Sequence, residues 1–284
     1  MSVYFDRVCR VVVLNNEALS IEDHRIKFEI TKAITQKDNS AKIEIFNLSN
    51  VTRKKIGIKE TSAQLYAGYK EYQGAVQVGQ GVICQVTTIR DKTDIVTRML
   101  LKDGLSYIKN NPISFSYEKD VKLEEVLKKI AKDAGLVLKS IGIDSKAISG
   151  GYTIFRSLDY ELNQLAERFD FDWSIQDKAL VVIGKKQNIS QQVVLLTPDS
   201  GLILNPESVK KVSQRLQKLK DKGEILNDIR LFHVHALLQP QLQVNDVIVV
   251  DSQDLSGKFR VHKLTHIGDT RGNEWYTKME VKAL

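Results

Sequence analysis

The sequence predicts an α+β protein that is mainly β, in which two strand-rich regions flank a small α+β insert. Three observations carry this reading. Across residues 1–105 and again across 186–284, apolar and polar residues alternate over short runs, the period of a half-buried strand. Between them, two stretches carry apolar residues at helical spacing instead. The chain of 284 residues holds only 4 prolines, far below the ~5% of average usage, which argues against Pro-rich linkers and disorder.

In the first region the expected strands are Tyr4–Leu14, Arg25–Ile34, Lys42–Phe46, Ala63–Tyr69, Ala75–Thr88 and Asp94–Leu101. Ile26, Phe28 and Ile30 alternate with Arg25, Lys27 and Glu29, and Ile43 and Ile45 repeat the pattern. One wet and one buried face suits an antiparallel sheet that closes into a barrel or a sandwich. A short helix over 51–57 interrupts the strands, with Ser49 as its cap and Gly57 as its stop.

In the insert, 106–185, Leu123, Val126, Leu127, Ile130 and Ala134 form one helical stripe that ends at Gly135. A second helix is expected over 158–169, capped by Ser157. Short strands flank both, at 113–117, 136–139, 152–155, 172–175 and 180–183, with a turn at Gly150–Gly151. The last region returns to strands at 193–196, 231–237, 246–251, 258–267 and 274–281. The order of β region, insert, β region suggests a duplication too diverged to show in letters.

Catalytic constellations are not visible in the sequence. It has no GxSxG elbow, no phosphate-cradling glycine pattern, and no acidic pair whose apolar setting would make it a glycosidase dyad. Cys9 and Cys84 stand in strand-like stretches and read as buried structural thiols. His233 with His235, and His262 with His266, each share a strand face, so two neighbouring strands would gather four imidazoles. The plainer reading, which we favour, is a polar outer face with Phe232, Val234, Val261 and Leu264 turned inward. We therefore expect no enzyme, no cofactor and no metal site.

No apolar run approaches the ~18 residues of a membrane helix, and the amino terminus lacks a signal-peptide layout. No membrane partner is expected, and assembly in a cytoplasm is. Lys and Arg number 42 against 35 Asp and Glu, a net charge of +7. Segment 205–222 alone supplies +4, from six cations (Lys210, Lys211, Arg215, Lys218, Lys220, Lys222) less Glu207 and Asp221. Such a run is a solvated helix face, a mobile loop, a contact for an acidic partner, or a nucleic-acid site whose affinity falls with salt.

The carboxyl end is the most informative stretch. Residues 257–281, GKFRVHKLTHIGDTRGNEWYTKMEV, read as a long hairpin whose turn is GDTRGN. Trp275 and Tyr276 fall on opposite faces of its second arm, one for the core and one for a neighbour. This hairpin, with the preceding LLQPQLQVNDVIVVDS (237–252), SGLILNPE (200–207) and the upstream AKIEIFNLSNVTRKKI (41–56), resembles the baseplate hub proteins of contractile-tailed bacteriophages, also called tail-tube initiators or late control proteins. One departure is Val244–Asn245–Asp246, where such proteins carry a turn glycine; Asn245 tolerates positive φ. The extended basic segment is a second departure.

The resemblance implies two tube-like antiparallel β-barrels per chain and a homotrimer whose six similar barrels form a ring. It implies a structural virion protein in the tail baseplate. One side of that ring would continue the sixfold tail tube, and the other would accept the threefold central spike and other baseplate proteins. DNA would pass transiently through the lumen. Arg271, Trp275 and Tyr276 are the expected subunit or partner contacts. Related secretion-system spikes share the double barrel but continue into a needle. The alternative from the residues alone is a nucleic-acid-binding protein acting through 205–222.

Overall fold

The computed structural model describes residues 6–15, 17–34, 39–56, 61–72, 74–102, 112–143, 146–176, 179–184, 193–209, 231–253 and 255–284. The chain is mainly β, with 61% of these residues in strands and 15% in helices.

The first region contains β1 (Arg7–Leu14), β2 (Ala18–Ile21), β3 (Ile26–Ala33), β4 (Ser40–Phe46), α1 (Asn50–Ile56), β5 (Ser62–Tyr69), β6 (Gly74–Asp91) and β7 (Asp94–Lys102). Ser49 caps α1 as expected, its Oγ accepting from the Thr52 N–H at 3.1 Å. The strand order is β3-β4-β7-β6-β5-β1-β2, each pair antiparallel. Strands at opposite ends of this order bury into one cluster: Phe28 and Ile30 from β3 meet Val11 and Val13 from β1, with Ile43, Leu65 and Met99 between. A flat sheet cannot do that, so the sheet rolls around its apolar face. At 18 residues, β6 is long enough to serve two partners. It pairs with β5 up to Val82 and with β7 from Val82 onward, with a bulge between Ile83 and Gln85.

The insert contains β8 (Pro112–Tyr117), β9 (Val121–Lys122), α2 (Leu123–Asp133), β10 (Val137–Ile141), β11 (Ala147–Ile148), β12 (Tyr152–Ser157), α3 (Leu158–Phe169), β13 (Phe171–Gln176) and β14 (Ala179–Gly184). Both helices lay the apolar stripe read from the sequence onto one core, where Leu127, Ile130, Leu162 and Leu165 meet Phe171 and Val182. Gly135, Gly150 and Gly151 all take positive φ, as their turns require. Ser157 is extended but makes no side-chain cap bond, so the cap expected there is not formed. Asp170, at φ +52, ends α3 in the left-handed conformation.

The last region contains β15 (Val194–Leu196), β16 (Leu202–Val209), β17 (Leu231–Leu237), β18 (Val247–Asp251), β19 (Ser256–Asp269) and β20 (Trp275–Ala283). Its order is β16-β17-β20-β19-β18-β15, and every pair is antiparallel except β15 with β18, which run parallel. The end strands are joined by a 3-10 turn, Pro198–Ser200, in which Thr197 and Ser200 cap each other reciprocally. Leu196 and Leu202, from these two ends, share one core with Val234, Ile248, Val261 and Met279. This sheet is rolled as well. The start of segment 205–222 is strand, since β16 runs to Val209, rather than helix or loop. Lys210, Lys211, Arg215, Lys218, Lys220 and Lys222 lie outside the described residues.

Candidate interface at the junction of the two sheets

The two rolled sheets are one hydrogen-bonded structure of 13 strands. The strand that joins them is β19. Its first part, Ser256–Arg260, pairs with β18, while Lys263–Asp269 pairs antiparallel with β3. A bulge between Val261 and Lys263 separates these parts on its β20 side. Bending one long strand at a bulge, which leaves His262 outside the β20 register, lets it leave one core and enter another while both ladders continue.

Around this strand the GDTRGN turn is fastened to the first region. Thr270 exchanges bonds with Ile26: its N–H donates to the Ile26 carbonyl and its Oγ1 accepts from the Ile26 N–H, both at 3.0 Å. Arg25 donates to both Asp269 carboxylate oxygens, Nε at 3.0 Å and Nη2 at 2.7 Å, the bidentate geometry that makes such pairs strong. Arg7 donates to the Gly272 carbonyl at 2.6 Å and lies over the Trp275 ring. Burial pushes the Asp269 carboxyl up, but the bonds from Arg25 and the Arg271 N–H, with the Arg25 and Lys27 charges, overcome it and hold it below the usual range. Beneath the turn, Phe28 and Trp275 meet edge to face, 5.4 Å apart. A Cβ at Gly268 would stand 2.3 Å from the Phe28 ring and 2.8 Å from Trp275, so only glycine fits there.

On the inner side the junction is polar. His266, fully buried, meets the Thr277 hydroxyl through Nδ1 at 2.9 Å, and that hydroxyl accepts from the Gln239 N–H at 2.9 Å. Burial, helped by the nearby Lys32 charge, pushes the imidazole down to about 3, against a smaller opposing effect of a hydrogen bond with the Leu242 backbone. Lys32 is buried too and donates to Gln243 Oε1 at 3.0 Å. Asp246 accepts from the Gln243 N–H at 2.8 Å, and burial raises its carboxyl to about 6. Asn245 takes φ +72, the left-handed turn expected of it.

On the outer face, residues from four strands line a groove of about 340 Å³. Lys27 bridges to Glu274 at 3.4 Å, while Lys42 and Arg98 reach Glu44 at 3.0 and 2.7 Å. Tyr276 opens onto this groove and stacks edge-on against His235, ring centroids 4.6 Å apart. Trp275, by contrast, is only 2% exposed. It belongs to the chain's own core, whereas Tyr276 is half-buried and Arg271 is exposed.

The four histidines do not converge. His233 and His235 point outward on β17, and β20 stands between that strand and β19. His266, expected outside, faces inward, because the bulge beside His262 shifts the alternation of β19 by one. Among the described residues no three His, Cys, Asp or Glu side chains group as metal ligands. Cys9 is half-buried against the first core, its thiol pushed up to about 12 by desolvation, whereas Cys84, expected to be buried, is exposed beside the β6 bulge. The fastening by Arg7 and Arg25 was not legible in the sequence: the partners are 244 to 266 positions apart, and Asp269 reads locally as an ordinary turn residue.

Two rolled sheets sharing one strand, with polar groups consumed in holding the junction, describe a structural component rather than a binding pocket. The chain belongs to the family described as Baseplate hub gp41, whose model matches residues 8–212, and it is thus a bacteriophage baseplate and tail structural protein. The fold is similar to that of a 43 kDa tail protein of prophage MuSo2 from Shewanella oneidensis, at 10% identity and a TM-score of 0.65 over 97% of this chain and 98% of that one. A tail protein from Neisseria meningitidis is similar at 11% identity and a TM-score of 0.66, over 98% and 97% of the two chains. The E. coli c3393 protein, a type VI secretion component described as structurally similar to phage T4 tail proteins, matches at 9% identity and a TM-score of 0.60, over 92% and 73%. Comparison with curated protein sequences finds no match.

Proposed function

We propose that this chain is the hub that joins the sixfold tail tube to the threefold central spike, acting as a homotrimer of six rolled sheets in one ring. The observation that carries this reading is the β3–β19 ladder, seven residue pairs long, which makes two rolled sheets a single rigid unit. Three such units supply a pseudo-sixfold face for a tube protein while keeping threefold symmetry for a spike. The role is one of geometry, with no turnover and no cofactor. The junction's titratable groups are engaged with one another: Asp269 with Arg25, and His266 with Thr277. The chain's place is the virion tail baseplate, after assembly in the host cytoplasm, with DNA passing through the ring's opening.

The test is the mass of the purified chain, alone and mixed with the tail tube protein of the same particle, by native mass spectrometry. A species of three chains is expected in the mixture at least. A monomer that neither tube nor spike protein recruits would refute the reading.

A further inference from the structure

Exposed apolar side chains gather at two free sheet edges. Outside the insert, eight large apolar residues are exposed among the described residues, and six of them lie on or beside these edges. Val82, Ile89 and Leu100 belong to the β6–β7 hairpin, and Val193, Leu195 and Ile203 surround the gap between β15 and β16. Beyond Val82, β6 has β7 on one side and no strand on the other among the described residues. Among the described residues β15 likewise pairs only with β18, and β16 only with β17.

Both edges are poor in charge, although β15 is short and β16 holds Pro206 and two register shifts. Natural edges are blunted by charge or shortness, yet Val82–Ile89 (VICQVTTI) carries no charge in a chain that is 27% charged. Residues 193–206 carry one, Asp199. The first edge ends at a tip of Arg90, Asp91 and Lys92, all exposed, with Asp94 just beyond, and the second has exposed Asp199 at its turn. An added strand antiparallel to β16 would bring this mixed-charge tip, Arg90, Asp91 and Lys92, to the end where Asp199 stands.

We infer that the second half of β6 from one copy adds as a strand to the β15–β16 gap of the next copy, a head-to-tail contact. This deepens the trimer reading and rests on it. The two edges lie in different halves of the chain, so the contact is heterologous, and repeating it generates a ring when the rotation closes. An isologous alternative, β6 against β6, would stop at two chains and leave both gaps open.

The experiment is cysteine cross-linking in a Cys84→Ser background, with Ile89→Cys and Ile203→Cys made singly and together. Under oxidation of the assembled protein, the double variant should give two- and three-chain bands on a non-reducing gel, and each single variant only the one-chain band. Dimers from Ile89→Cys alone would overturn the inference in favour of β6 against β6. A three-chain mass with no cross-link in the double variant would overturn this contact while leaving the trimer intact. A chain that never associates would overturn both. As a second measurement, Ile89→Lys, which adds charge to an exposed position, should weaken association at least tenfold without lowering the melting temperature of the single chain. Unchanged association would count against the contact.

Discussion

Replacing His266 by asparagine should change how stability depends on pH, and the size follows from the junction's geometry. The imidazole is fully buried against Thr277, with Lys32 nearby, and is held neutral down to about pH 3. In the unfolded chain it titrates at 6.5. Below that pH the unfolded chain takes up a proton that the folded chain refuses, so stability falls as pH falls, by about 1.4 kcal/mol per unit. From pH 7 to 4.5 this loss is about 2.5 kcal/mol. Asp246 acts in the opposite direction. Its folded carboxyl titrates near 6 against 3.8 unfolded, so the cost of its buried charge is present at pH 7 and fades on acidification, returning about 2 kcal/mol over the same range. These two groups nearly cancel in the natural chain. With His266→Asn the first contribution disappears while Asp246 keeps its own. Urea unfolding of both proteins at half-unit steps from pH 7 to 4.5 reads the difference, to which only position 266 contributes. The variant should lose some stability at pH 7 from imperfect packing, then gain on the natural chain by about 2.5 kcal/mol as pH falls. Parallel curves would refute the claim that His266 is buried and neutral.

Further outcomes follow from the same contacts. Gly268→Ala should destabilise by about 2 kcal/mol or more, read as a lower melting temperature, because its Cβ would meet the Phe28 and Trp275 rings. Asp269→Asn removes the charge partner of Arg25, and should cost about 2 kcal/mol at neutral pH in chemical denaturation. A thiol reagent should titrate Cys84 first in the native chain and Cys9 far more slowly until unfolding, since the half-buried Cys9 thiol is raised to about 12 by desolvation. Ser49→Ala should cost about 1 kcal/mol through the lost cap bond, whereas Ser157→Ala should be near neutral because that hydroxyl caps nothing.

The strands and helices were legible because each has one buried face with a clean period. Ile26, Phe28 and Ile30 on β3, and the Leu123–Ile130 stripe of α2, reached the core as read. Features that depend on pairing across the chain were hidden. No local pattern announces that β19 leaves one sheet for another, that β15 lies parallel to β18, or that the bulge beside His262 turns His266 inward. β2 escaped notice because four residues are too short for a period to show. Trp275 and Tyr276 were correctly set on opposite faces, but Arg7, 268 positions before Trp275, gave no sign that it would cover that ring.

As a hub, the chain must be a fixed part at the tail tip. Electron cryomicroscopy of purified particles, with density fitted by the twin rolled sheets, tests this most directly. Three copies in one ring between the last tube hexamer and the spike are predicted. Density at that position with no doubled sheet, or with a copy number other than three, would contradict it.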